Sequence, residues 1–349
     1  MTCIPARAAA LRGSLAASLA VIAWLTLPTS ACAARAYVSN EDDGTVTVVD
    51  TQRLAAIATI AVGKRPRGLA LSRDGASLYV AVSGVPKCPP PISDKACAKL
   101  PRDRKADGVA VVDTATLKQT RLLKGVSDPE RIEIGADGHT LFVTNEDTAR
   151  LTVLDAARGK ALGSIAVGRE PEGVRTSPDG RWLLVTSVGG NSVAIIDART
   201  RALLHTVLVG ERPRDLAFTL DSSAAYVSGE ADASVYRISL PSGEPTTQLL
   251  QLRKEARPMG VVFDAPRERL YVSTGHGGTV AVISLQDGRL IEEVPVGARP
   301  WGLALSADGR RLVTANGSSG DVSVVDAETL KVIGKVPAGH GPWGVVAGP

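Results

Sequence analysis

The familiar signatures of catalysis are missing from this chain. It contains no Gly-x-Ser-x-Gly elbow, no P-loop and no His-Glu-x-x-His. That removes the common motifs of serine hydrolases, phosphate-cradling nucleotide enzymes and zinc proteases. Histidine is scarce, with only His139, His205, His276 and His340. Cysteine is equally scarce: Cys3, Cys32, Cys88 and Cys97. None of the four cysteines lies in a Cys-x-x-Cys-His haem attachment motif, and no His or Cys cluster completes a metal site. Long apolar runs are absent after the first 33 residues, so no membrane helix is expected beyond them. Net charge is small. The formal value is +4, and two of those charges belong to Arg7 and Arg12 near the start. This balance gives no argument from charge for nucleic acid.

The start of the chain reads as an export signal, residues 1–33. Arg7 and Arg12 precede an apolar run from Leu15 to Leu27, too short to span a bilayer comfortably. Ala31-Cys32-Ala33 offers a small-residue cleavage site, and lipidation at Cys32 is the rival reading. The expectation is a periplasmic or secreted protein of residues 34–349. In an oxidising compartment Cys88 and Cys97 read as a disulfide, with a metal pair as the alternative.

What the chain has is a repeat. Pro66, Pro129, Pro171, Pro213, Pro258, Pro300 and Pro342 follow one another at 63, 42, 42, 45, 42 and 42 residues. Within one repeat, Gly173–Thr176, Trp182–Val185, Ser192–Asp197 and His205–Gly210 read as four short strands. Turns of the type Ser177-Pro178-Asp179-Gly180 separate them. Such a period with four strands per unit predicts an all-β fold, a seven-bladed β-propeller of four-stranded blades. The chain opens on a second strand, Ala36–Ser39, and closes on a lone first strand, Gly344–Ala347. A composite blade from both termini is therefore expected to close the ring. Asp50, Asp113, Asp155, Asp197 and Asp326 end third strands, where a carboxylate can accept backbone N–H groups of the next turn. The long first interval places an insertion at residues 84–107, polar and proline-rich, on the same face as the repeated prolines.

The residue after each proline should form a ring around the channel: Arg67, Glu130, Glu172, Arg214, Met259, Trp301 and Trp343. Second-to-third loop residues Glu146 and Asn316 stand behind it, with His276 and His340 on the same face. Arginine offers a planar fork for carboxylates, and tryptophan a flat surface with one N–H donor. The ring could hold a small planar acidic ligand or a protruding loop of a partner. Plain architecture is the competing reading, with Arg and Glu of adjacent blades pairing and Met and Trp plugging the channel.

Arg65-Pro66-Arg67-Gly68, Asp128-Pro129-Glu130, Asn145-Glu146-Asp147, Glu170-Pro171-Glu172-Gly173, Arg212-Pro213-Arg214 and Pro342-Trp343-Gly344-Val345-Val346 occur in an order that resembles one group. It is the YVTN-repeat β-propellers, in the subgroup associated with pyrroloquinoline quinone (PQQ)-dependent catabolism. The resemblance spans nearly all of residues 34–349; the cysteine-bearing insertion departs from it. It implies an exported bacterial protein linked to quinoprotein alcohol oxidation, with a quinoprotein dehydrogenase or c-type cytochrome as partner. No bound cofactor is predicted. Three functions follow. The first is a non-catalytic binding or accessory protein. The second is a propeller enzyme such as a lactone hydrolase, with Glu130, Glu172 and His276 as acid–base groups. The third is binding of single-stranded nucleic acid or surface polymer, against which the near-neutral charge weighs.

Overall fold

Among the described residues, twenty-eight short strands pair into seven separate antiparallel sheets of four. The computed structural model describes residues 35–88, 93–97, 99–244 and 246–348. The proposed leader, with Cys32, lies outside the described residues. Blades one to seven are numbered here by their inner strands. These are Pro66–Leu71, Pro129–Ile134, Pro171–Thr176, Pro213–Phe218, Val261–Asp264, Pro300–Leu305 and Pro342–Ala347. The expected seven-bladed propeller is the observed fold.

Burial falls from the axis outwards, and the sequence follows it. Second and third strands such as Trp182–Ser187 and Ser192–Asp197 are buried almost throughout, because neighbouring blades cover both faces. They read as nearly continuous runs of Val, Ile, Leu and small residues rather than alternating ones. Outer strands are solvent-facing; Leu203, Leu204 and Leu208 on Leu203–Leu208 stay exposed. The third-strand aspartates fix the turn that leads outwards. Asp197 Oδ1 accepts the Thr200 N–H at 2.6 Å, and Asp113, Asp155 and Asp326 do the same for Thr116, Arg158 and Thr329.

The termini close the ring as the repeat required. Inner strand Pro342–Ala347 pairs with Arg35–Asn40, placing Tyr37 opposite Val346 and Val38 opposite Val345. Arg35–Asn40 pairs in turn with Thr45–Asp50, and that strand with Ala55–Ala61.

A second device joins blade to blade. In five blades a hydroxyl at the fifth residue of the second strand makes two bonds. It accepts an N–H from its own inner strand and donates to the carbonyl of the ring residue in the next blade. Thr186 accepts from Gly173 N at 2.7 Å and donates to Arg214 O at 2.9 Å. Ser39 links Gly344 to Arg67, Thr144 links Arg131 to Glu172, Ser228 links Asp215 to Met259, and Ser273 links Gly260 to Trp301. The backbones approach so closely that a Cβ on Gly173 would lie 2.5 Å from Arg214 O. On Gly344 it would lie 2.6 Å from Arg67 O, so glycine is required there.

Deleting residues 340–349 removes the inner strand of blade seven and leaves the Arg35–Asn40 edge open. Thermal unfolding followed by circular dichroism should show a Tm lower by at least about 10 °C. An unchanged Tm would refute closure by the two termini.

Candidate functional site

The chain reaches the axis through a strained corner. The residue before each ring proline adopts positive φ: Arg65, Asp128, Glu170, Arg212, Arg257, Arg299 and Gly341, at 41° to 66°. Six of the seven are not glycine, and each such corner costs on the order of 1 kcal/mol or more. The corner turns the chain from an outer strand onto the next inner strand, and the ring residue follows it.

The charged arc neutralises itself. Arg67 is 2% exposed. It pairs with Glu130, donates to Asp128 at 2.6 Å and to the Pro129 carbonyl at 2.9 Å, and reaches Glu146 at 3.2 Å. Arg214 pairs with Glu172 and with Glu230, the latter at 2.6 Å. Burial pushes Glu130 well above the usual carboxylate range in spite of Arg67, and Glu146 and Glu172 add repulsion. Glu172 is pushed up in the same way, against the pull of Arg214. Burial also opposes ionisation of Asp128, but Arg67 and the Ser83 hydroxyl hold it below its ordinary value.

The apolar arc completes the plug. Trp301 and Trp343 stack with ring centroids 5.8 Å apart, and Met259 is buried beside them. Guanidinium carbons lie over these rings: Arg214 at 5.7 Å and Arg299 at 5.1 Å from Trp301, Arg131 at 5.2 Å from Trp343. The void left among Glu172, Arg214, Met259, Trp301 and Trp343 is about 10 Å³, room for about one water at most. The ring brings together Arg67, Glu130, Glu146, Glu172, Arg214, Met259, Trp301 and Trp343. At this level, and in this conformation, it leaves no space for a planar ligand.

The remaining sequence candidates have local roles. Asn316 is buried and pins its own loop, donating to Asp321 at 2.6 Å and Ser323 at 3.0 Å. His276 is exposed on the turn Gly275–Gly277, and among the described residues it shares no hydrogen bond with Glu130 or Glu172. His340 is bound to Asp43 through both its backbone N–H and ring Nδ1. Cys88 and Cys97 form the expected disulfide. The insertion lies on the proline face, held by Lys64 to Asp103 at 2.7 Å, Lys87 to Asp42 at 2.7 Å and Arg104 to Asp147 at 2.5 Å. It leaves Lys99, Arg102, Arg104 and Lys105 exposed.

A lower layer of the channel escaped the reading of the ring. Two residues after the proline, five blades carry glycine: Gly68, Gly173, Gly260, Gly302 and Gly344. Blades two and four carry Arg131 and Asp215 instead. Four residues after the proline, five blades carry Ala70, Ala217, Val262, Ala304 and Val346. Blades two and three carry Glu133 and Arg175. The four exceptions meet: Asp215 Oδ2 lies 3.2 Å from Arg175 and 3.5 Å from Arg131. Glu133 accepts the Thr176 N–H at 3.1 Å. Arg131, Glu133 and Arg175 line a cavity of about 410 Å³ whose other lining includes Leu69, Leu303 and Val345. It reaches Arg73 in the first-to-second-strand turn of blade one, the face opposite the prolines. The signal was available in the sequence, as departures from the repeat four residues apart rather than as a motif.

Burial raises Glu133 to about 7, with Asp215 adding to it and Arg175 and the Thr176 N–H opposing. Arg131 is pressed below its ordinary value by burial and by Arg175, with Asp215 opposing. Among the described residues no group of His, Cys, Asp and Glu is placed to hold a metal ion, and no helix is long and apolar enough to cross a membrane.

Comparison with known proteins places this geometry among related folds. A family model described as "Lactonase, 7-bladed beta-propeller" matches residues 174–335. A search of curated proteins found no match. Among solved structures, Kuenenia stuttgartiensis hydrazine synthase superposes with a TM-score of 0.71 at 23% identity, over 84% of this chain and 92% of that one. A Bacteroides uniformis protein provisionally assigned as a 6-phosphogluconolactonase gives 0.70 at 17%, over 90% and 99%. A functionally unknown protein of Desulfotomaculum acetoxidans gives 0.71 at 17%, over 90% and 98%. These likenesses establish the seven-bladed β-propeller fold.

The folded protein binds a proton at Glu133 more tightly than the unfolded chain, about 7 against 4.5. The resulting stabilisation is full below about pH 4.5 and lost as pH rises through about 7. Glu133→Gln should therefore stabilise the protein by about 1–3 kcal/mol above pH 7 relative to the parent, and much less near pH 4.5. Denaturant unfolding at both pH values tests this; parallel pH slopes for parent and variant would refute it.

Proposed function

We propose that this chain is an exported binding protein that docks a macromolecular partner on its proline face, as an accessory to PQQ-dependent alcohol oxidation. The supporting observation is the closed channel on that face. A ring that fills its own centre and pairs its own charges offers no pocket at the axis, and beside it Glu41, Arg65 and Lys87 line a broad groove of about 740 Å³ against the insertion. Beside it stands a disulfide-stapled loop, tied down by ion pairs, with Lys99, Arg102 and Lys105 exposed along its edge. Exposed Arg169, Arg212 and Arg299 add cations to that rim, interleaved with exposed Glu170 and Glu211. An acidic patch on the partner fits that rim and would speed encounter through steering. The resemblance to PQQ-associated propellers suggests the partner class, a quinoprotein dehydrogenase or a c-type cytochrome.

The test is affinity purification of the tagged protein from its native periplasm with mass spectrometry of what accompanies it. The parent should enrich an acidic quinoprotein or cytochrome. Arg102→Glu, Lys105→Glu and Arg212→Glu together should reduce that enrichment about tenfold or more. Arg212 also pairs with Glu230 at 3.1 Å, so the Tm of the variant is measured alongside to separate loss of docking from loss of that pair. Enrichment that survives the charge reversal would remove this face from the interaction.

A second reading, lactone hydrolysis, is supported by the family match and by Glu133. A carboxylate titrating near 7 in a cavity beside arginines has the properties of a general base. Arg175 and Asp215 fall inside the matched segment, whereas Arg131 and Glu133 precede it. Turnover of sugar or aromatic lactones, falling about a hundredfold or more in Glu133→Gln, would support this reading. No turnover by the parent across such a panel would dismiss it.

A further inference from the structure

We infer that the channel cavity opening opposite the prolines is a binding site for a small monocarboxylate with an apolar body, its carboxylate held by Arg131 and Arg175. The inference shares its cavity with the lactone reading but needs neither turnover nor the docking face.

The argument begins with the repeat. An inner strand of this propeller needs glycine two residues after its proline, where the next blade's backbone passes, and a small apolar residue two positions later. Three adjacent blades break this rule at four positions. All four departures are ionisable, and the three from blades two and three line one cavity. Architecture alone favours the residues found in the other blades.

Three guanidiniums, Arg73, Arg131 and Arg175, line the cavity with one carboxylate, Glu133. Asp215, behind the wall, lies 3.5 Å from Arg131 and 3.2 Å from Arg175, and Glu130 and Glu172 act on Arg131 from the ring above. The Arg131 guanidinium is paired to Asp215 only at 3.5 Å, so its donor fork is only partly used. A guanidinium fork with donors to spare is the group a ligand carboxylate matches. Leu69, Ile134, Leu303, Val345 and Val346 also line the cavity, among polar backbone atoms. Their side chains offer contact to an apolar body beside the carboxylate. The volume, about 410 Å³, lies in the range of small-molecule sites.

Benzoate is the probe, with benzyl alcohol as its neutral analogue and inorganic phosphate as an anion without an apolar body. Binding to the purified protein is read by calorimetry. Tryptophan fluorescence gives a second readout, because Arg131 lies over Trp343. Benzoate should bind at least about tenfold more tightly than either control. Arg175→Gln should weaken benzoate about tenfold. The Arg175 side chain is 27% exposed, so this variant tests the site even where loss of the buried Arg131 prevents folding. Absence of benzoate binding, equal binding of either control, or affinity unchanged in Arg175→Gln would each overturn the assignment.

Discussion

The structure depends on how closely adjacent blades approach at the axis. Seven sheets must converge there, and side chains cannot fill space that backbones already occupy. The hydroxyls of Ser39, Thr144, Thr186, Ser228 and Ser273 solve the polar side of this constraint. Each satisfies an N–H of its own blade and a carbonyl of the next. Those carbonyls belong to the ring residues Arg67, Glu172, Arg214, Met259 and Trp301. The stitch therefore fixes the backbone from which each of these side chains projects. Blades one and six carry Ala81 and Ala315 at the equivalent position, so the stitch to Glu130 and Trp343 is missing. Glu130 is instead held by its ion pair with Arg67, and Trp343 by stacking on Trp301.

With the backbone fixed, the channel divides into two layers of different chemistry. The upper layer is filled: Arg67 and Arg214 face Glu130, Glu146, Glu172 and Glu230, and the tryptophans occupy the rest. Buried ion pairs of this kind are weak evidence for net stability, because desolvation offsets much of the attraction. Their consequence here is steric and electrostatic closure of one end. The lower layer is not filled. Arg131, Arg175 and Glu133 line open space, with Asp215 behind the arginines, and burial raises Glu133 to about 7. A closed end suits contact with a large surface, and an open polar end suits a small molecule.

The sequence exposed the ring because proline marks it. Pro66 to Pro342 supply a register, and any residue one place beyond can be aligned by eye. Pairing of Arg67 with Glu130 and of Arg214 with Glu172 was legible as neighbouring opposite charges, and the structure bears out the plug. The lower layer was harder. Arg131 and Asp215 are meaningful only against the glycines of the other blades, and Glu133 and Arg175 only against their alanines and valines. No motif joins four residues spread over three repeats. His276 shows the opposite error: a chemically suggestive residue that sits exposed on its own turn, outside the Arg–Glu cluster.

The chain by itself determined the blade count, the strand order within each blade, the joining of the two termini and the Cys88–Cys97 pairing. Each is set by local spacing, by turn chemistry or by the number of partners available, and spacing survives in one dimension. Tertiary structure decided which end of the channel is open, because filling is a matter of volume. Glu172, Arg214, Met259, Trp301 and Trp343 come from five blades and together leave about 10 Å³. The lower layer, with alanine and valine in most blades, leaves about 410 Å³. It also decided the proton affinity of Glu133, which follows from burial and from the placing of Arg175 and Asp215 on other blades. Neither quantity is a property of any one repeat.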